Sequence, residues 1–378
     1  MFKKIYKGNT NYDNISRQLY GTPDNAGNLS KINNNTDGYI IVPEDETLPA
    51  EGEGVRCNID GTVYHKFYHT LLLNSLGTIK GVILDFDTDT DNFTFKRGQN
   101  VSVYDNEGLF LNGYISDIDS DNSANNSVTS LYIMSMAGVL IDTVVPEPLN
   151  FSYLNLQSVI QTICDYFGLA VEFEDNQKLK FVSQTNIGNS YSAAENETCW
   201  QFLTRITSAR GLIIDDDGTK LYVGEIKEAD AKMSFLEGET VGVTNWRSEF
   251  STENLARYYV SYTQYPEPAT STIEIPYDLP ITKRIPCTDA YSGSLDDYTR
   301  WNACRCIGES FKVPLSVNDF FNLKKGDFVY IQSPSCYLFE ETKMIVEDFE
   351  QDSDTGNTIV LTLPCAYTGV IPESLPLC

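Results

Sequence analysis

Histidine is nearly absent: the 378 residues hold two, His65 and His69. A Ser–His or Cys–His nucleophile would have to draw its base from that pair, so such catalysis is not expected. The two would face one way on a helix, but Thr62 to Tyr68 reads as a strand. There they stand about 13 Å apart, too far to share a metal ion. Positive charge is scarce as well. Lys and Arg total 27 against 53 Asp and Glu, a net charge of -26. A protein that wraps a phosphate backbone needs the opposite balance to displace counterions, so no sequence-specific nucleic-acid binding is expected. No apolar run approaches the ~20 residues of a membrane-spanning helix, and no apolar stretch follows Met1 to Tyr6 to direct export. Neither membrane insertion nor secretion is expected.

Other chemistry is thinly represented. No Gly-rich phosphate loop is visible. The nine cysteines are odd in number and scattered, unlike a disulfide framework, which points to a reducing cytoplasm. Cys304 and Cys306 fall two apart on a helix, about 200° around the axis, and cannot chelate one ion. Asp85, Asp87, Asp89 and Asp91, and again Asp117, Asp119 and Asp121, alternate like the start of a calcium loop. Both lack the Gly and Glu such loops need, which leaves solvated strand faces or weak calcium sites. Any two of the 53 acids could form a glycosidase pair, but nothing marks one. No cofactor, metal or enzymatic activity is expected.

What is present favours packed sheets. Hydrophobic residues make up 41% and aromatics 12%, and the length exceeds what one core holds. The acid excess serves solubility, or lines a passage that a polyanion must cross without sticking. The fold class expected is α+β, mainly β: two similar small β-barrels, an intervening α/β module and a βααβ head. Residues 1–46 form the head, with Thr10 and Asp13 in a capping box, Thr22-Pro23 opening a second helix and Tyr39 to Val42 as closing strand. Residues 47–54 form an acidic linker. Residues 55–150 carry strands at Asn92 to Phe95, Val101 to Tyr104, Leu109 to Asp117 and Ser127 to Met134. Residues 151–250 hold two helices, capped by Asn155 and by Thr198 with Gln201 and closed by Gly168 and Gly211. Each leads into a hairpin, Leu169 to Glu174 with Lys178 to Val182, then Leu212 to Asp215 with Lys220 to Val223, the second turning at Asp217-Gly218. Residues 251–378 form the second barrel with a helix at 294–311.

The two barrels echo each other. Lys96-Arg97-Gly98-Gln99 leading into Asn100-Val101-Ser102-Val103 matches Lys324-Lys325-Gly326-Asp327 leading into Phe328-Val329-Tyr330-Ile331. Tyr114 to Ile118 matches Ile345 to Phe349, each followed by a polar turn and a final strand. Such patterns also recur by chance in β-rich chains. A true duplication has a geometric use, because three chains then present six similar surfaces.

Residues 1–43 resemble a LysM domain through Lys7-Gly8-Asn9-Thr10, Ile15-Ser16, Tyr20-Gly21 and Ile40-Ile41-Val42-Pro43. The resemblance implies either glycan binding or a protein-docking knob. From about residue 55 to 372 the chain resembles the Mu-type baseplate hub family of contractile phage tails, the late control protein D-like proteins. The stretches that carry this are Val55 to Tyr64, Asn92 to Phe95, Arg97 to Val101, Gly113 to Ile115, Met136 to Asp142, Glu197 to Leu203 with Arg210-Gly211, Trp301 to Phe311 and Lys325-Gly326. The head and linker depart from that family. The resemblance implies a non-enzymatic homotrimer in the virion tail baseplate, assembled in the host cytoplasm. It would join the tail tube protein to the spike protein and let DNA pass, with baseplate wedge proteins as partners for the head. Lys96, Arg97, Lys324 and Lys325 are the candidate interface cations, or ordinary solvated turns. Two alternatives stay open: a cell-wall protein or enzyme targeted by the head, and the hub of a tail-like injection device.

Overall fold

The computed structural model describes residues 2–6, 39–43, 55–64, 67–73, 75–87, 94–105, 108–123, 126–147, 150–151, 154–180, 191–263, 268–287, 295–318, 321, 323–352 and 356–376. Strand β1 (Phe2–Tyr6) pairs antiparallel with β2 (Tyr39–Pro43), Phe2 opposite Pro43 and Tyr6 opposite Tyr39. The two helices expected in the head and the expected 47–54 linker lie outside the described residues.

A first curled sheet follows, built from β3 (Arg56–Ile59), β4 (Thr62–Tyr64), β5 (Tyr68–Leu73), β6 (Gly81–Asp87), β7 (Asn100–Asp105), β8 (Gly108–Ser123) and β9 (Asn126–Ser135). Its order is β5-β6-β9-β8-β7-β3-β4. Alternation sets its inner face: Cys57 and Ile59 on β3, and Val101 and Val103 on β7, are buried while their neighbours face outward. These side chains pack with Leu84, Phe86, Leu111, Ile115 and Leu131. Thr94 and Phe95 are not in a strand, and the Phe95 ring lies 5.1 Å from that of Phe86. Asp119 to Ser123, expected in a polar turn, lie in β8 instead. The hairpin extends to Ser123 opposite Asn126, because Asp and Ser side chains on an exposed arm leave the backbone ladder with β9 intact.

The middle module opens with β10 (Asn150–Phe151), which pairs with β12 (Tyr191–Ser192). Helix α1 (Leu156–Tyr166) starts where Asn155 Oδ1 accepts from Ser158 N at 2.7 Å. Helix α2 (Cys199–Ser208) starts on a full capping box between Thr198 and Gln201. Both bury one apolar stripe, Leu156, Val159, Ile160 and Ile163 on α1 and Phe202, Leu203 and Ile206 on α2. The two expected hairpins prove to be one three-stranded sheet. Strand β11 (Val171–Phe173) runs parallel to β14 (Leu221–Gly224), which pairs antiparallel with β13 (Ile213–Asp216). Of the expected strand Lys178 to Val182, Lys178 to Lys180 lie instead in a 3-10 turn, Gln177–Lys180, where the Arg210 side chain donates to Lys178 O at 2.8 Å, and 181–182 lie outside the described residues. With β14 already satisfying β11, no local partner strand is required.

The second curled sheet starts at β15 (Met233–Leu236), earlier than the expected boundary at 251, and continues with β16 (Val243–Trp246) and β17 (Glu249–Phe250). Strands β18 (Tyr258–Thr263), β19 (Ala269–Glu274) and β20 (Thr282–Pro286) make a small separate sheet that α3 (Leu295–Ser310) covers. Phe311 does not close that helix. It opens β21 (Phe311–Val317), opposite Phe250 with ring centroids 5.5 Å apart. Strands β22 (Phe328–Ser333), β23 (Leu338–Asp352) and β24 (Gly356–Thr362) complete the sheet over a core that includes Phe235, Val313, Leu315, Ile331 and Leu361. The two curled sheets join edge to edge where β23 meets β5, Asp352 opposite Thr70.

Candidate functional site

The two sheets repeat each other bond by bond around the paired turns. Gly98 N donates to Ile115 O at 2.8 Å, and Gly326 N to Val346 O at the same distance. Ile115 N returns to Gln99 O at 3.0 Å, and Val346 N to Asp327 O at 2.8 Å. The Gln99 and Asp327 side chains accept from Lys96 N and Lys324 N, each at 2.6 Å. Both turns need a left-handed residue at their third position, and glycine supplies it with φ of 79° at Gly98 and 88° at Gly326. A bulge then follows at matching places, between Ile115 and Asp117 on β8 and between Val346 and Asp348 on β23. Strands β5, β6, β7, β8 and β9 thus correspond to β16, β21, β22, β23 and β24. The flanking strand differs in direction: β3 is antiparallel to β7, while β15 is parallel to β22.

The copies also differ in what the basic pair touches. Lys96 and Arg97 are exposed, and Arg97 pairs with Asp117 at 3.1 Å on the surface. Lys324 is exposed. Lys325, by contrast, turns inward: its Nζ lies 2.9 Å from Asp215 Oδ1 and donates to Asp216 O at 2.8 Å. The four cations are therefore not one surface, since one of them is committed to the chain's own middle module.

The β13–β14 hairpin is the wedge between the sheets. Asp215 also accepts from Gly77 N at 2.7 Å. Asp216 accepts from Lys80 N at 2.9 Å and from Ser135 Oγ. Lys80 Nζ donates to Phe110 O and Asp217 O at 3.2 and 3.1 Å and sits 3.5 Å over the Phe110 ring. Asn112 N closes the contact on Gly218 O at 2.8 Å. Burial, with help from the Lys325 charge, brings the Lys80 ammonium down to about 8, against the pull of Asp216 and Asp217. Burial likewise pushes the Asp215 carboxyl up, and Lys325 holds it back. An apolar plug lies beside these ions: Leu76, Ile213, Trp301, Phe328 and Ile345, one or more from each part of the chain.

Lys80, Asp215 and Asp216 carried no signal as a group in the sequence. The trace available was two acids at the end of the apolar strand Ile213–Asp216, fully buried in the fold and so in need of donors. Of the histidines, His69 lies on β5 and His65 is outside the described residues. Asp119 and Asp121 are exposed on the β8 arm, and among the described residues no group of three His, Cys, Asp or Glu could hold a metal. Cys304 is fully buried and Cys306 half-buried.

Residues 137–223 match a baseplate hub domain. The family is described as baseplate hub protein gp44-like, second domain, and the matched stretch runs through α1, α2 and the wedge hairpin to Val223. That domain family is one of structural tail components, not of enzymes. The fold of the chain is that of solved tail proteins. The 43 kDa tail protein of prophage MuSo2 from Shewanella oneidensis superposes with a TM-score of 0.68 at 17% identity, over 86% of this chain and 100% of its own. A tail protein from Neisseria meningitidis MC58 gives 0.68 at 15% identity, over 85% and 99%. The prophage tail protein gp18 from Listeria monocytogenes EGD-e gives 0.55 at 11% identity, over 82% and 94%. No curated protein sequence matches the chain.

Proposed function

We propose that the chain is the hub subunit of a contractile phage tail baseplate, acting as a homotrimer whose six curled sheets form a pseudo-sixfold ring. The ring joins the sixfold tail tube protein to the threefold spike protein and leaves a bore through which DNA passes. The observation that carries this reading is the duplication: one turn, one pattern of backbone hydrogen bonds and one bulge, found twice in a single polypeptide. A duplicated sheet lets threefold assembly mimic sixfold shape. The net charge of -26 suits a conduit that DNA must leave without adhering. The head at residues 1–46 then serves as a docking knob toward neighbouring baseplate wedge proteins.

Electron microscopy and light scattering of the purified full chain test the proposal. A ring with a central hole, a sixfold-looking outline and three times the chain mass is expected. A monomer at high concentration overturns it.

A further inference from the structure

The duplicated sheets make a strand junction inside the chain once, and the matching junction has no intramolecular counterpart. At the existing junction, Asp352 on the far end of β23 meets Thr70 on the outer edge of β5. Each side has an equivalent in the other sheet. Asp352 lies four residues beyond Asp348, the residue after the β23 bulge, and Asp121 lies four beyond Asp117, the residue after the β8 bulge. Thr70 sits opposite Ile83, which in turn sits opposite Tyr132. In the second sheet Pro314 occupies that place, opposite Val360, and Arg247 N donates to Pro314 O at 3.2 Å. The counterpart of Asp352–Thr70 is therefore Asp121–Arg247.

Within one chain these two sites do not meet. Among the described residues β8 pairs with β7 and β9, while β16 and β17 pair with β21 alone. We infer that the far end of β8 in one copy adds to the β16–β17 edge of the next copy, placing Asp121 opposite Arg247. This rests on the ring proposed above and names its interface. The contact is heterologous, first sheet of one copy to second sheet of the next, and three repeats close the ring. The charges agree: Asp119 and Asp121 are exposed on the β8 arm. The Arg247 side chain is 67% exposed and is held 3.0 Å from Glu249, which it would share with Asp121.

The test is cysteine pairing in the full chain. Paired residues on adjacent strands bring Cα atoms to about 4.5–5.5 Å, within disulfide reach. Under mild oxidation Asp121→Cys with Arg247→Cys should give covalent dimers and trimers and nothing larger. Thr70→Cys with Asp352→Cys should close within one chain and serves as the geometric control. A second measurement uses charge. Arg247→Asp or Asp121→Arg alone should weaken association on the order of tenfold or more, as expected for a close interfacial charge pair, and the exchanged double variant should regain it. A trimeric mass with no cross-link and no charge rescue overturns this interface while leaving the ring standing. A monomeric mass at all concentrations overturns both.

Discussion

Lys325 Nζ lies 2.9 Å from Asp215 Oδ1, with the side chains 11% and 12% exposed, so an ion pair largely shielded from bulk water ties the second sheet to the middle module. Removing one partner strands the other. Lys325→Met is expected to cost about 3–5 kcal/mol, whereas Lys325→Met with Asp215→Leu should recover most of the loss. Urea denaturation of the single and double variants checks this. A double variant as unstable as the sum of the singles would show that the two side chains are not coupled and would overturn this reading.

Lys80 gives the same junction a pH signature. Its folded value of about 8 lies below the ordinary 10.5, so between those limits the unfolded chain keeps a proton that the folded chain has released. Stability from this group therefore rises with pH across the window, and the cost of its buried charge is at full strength below about 8. Lys80→Met should remove that rise. Denaturation midpoints for both proteins from pH 7 to 10.5 decide it.

Gly218 has φ of 96°, and a Cβ there would stand 2.5 Å from Phe110 O, a backbone atom with little room to yield. Gly218→Ala should destabilise by about 1–3 kcal/mol through strain alone. Because Gly218 O accepts from Asn112 N, hydrogen exchange at the Asn112 amide should accelerate in the variant. Unchanged exchange would mean that the wedge does not need this close approach.

Trp301 anchors the apolar plug at 6% exposure. Trp301→Ala should cost about 3–5 kcal/mol. Trp301→Phe should cost far less, since it keeps most contacts and removes an indole N–H that has no acceptor among the described residues. Thermal unfolding of the two variants separates these outcomes.

The duplication was legible because its signal is local: a basic residue, a Gly at a fixed offset, an acceptor side chain and an alternating strand. Asn155, Thr198 and Gln201 were legible for the same reason, as a capping side chain acts within three residues. The parallel pairing of Val171–Phe173 with Leu221–Val223 was not, because it spans 50 residues and leaves no mark near either strand. The β8 arm was hidden by its composition, since Asp, Ser and Asn imitate turn chemistry. Lys325 looked equivalent to Arg97, and only burial distinguishes them. The second sheet starts at Met233 because β15 joins β22 across almost a hundred residues, which a boundary placed by local pattern cannot register.

The connection between corresponding edge strands is unequal. In the first sheet residues 74–80 link β5 to β6, whereas in the second residues 251–310 link β17 to β21 and carry the β18–β20 sheet with α3. In a closed ring of three copies every second position bears this bulk. In the ring proposed above the curled sheets would repeat six times around the axis and this insert three times, so a partner that grips the insert would find three seats instead of six.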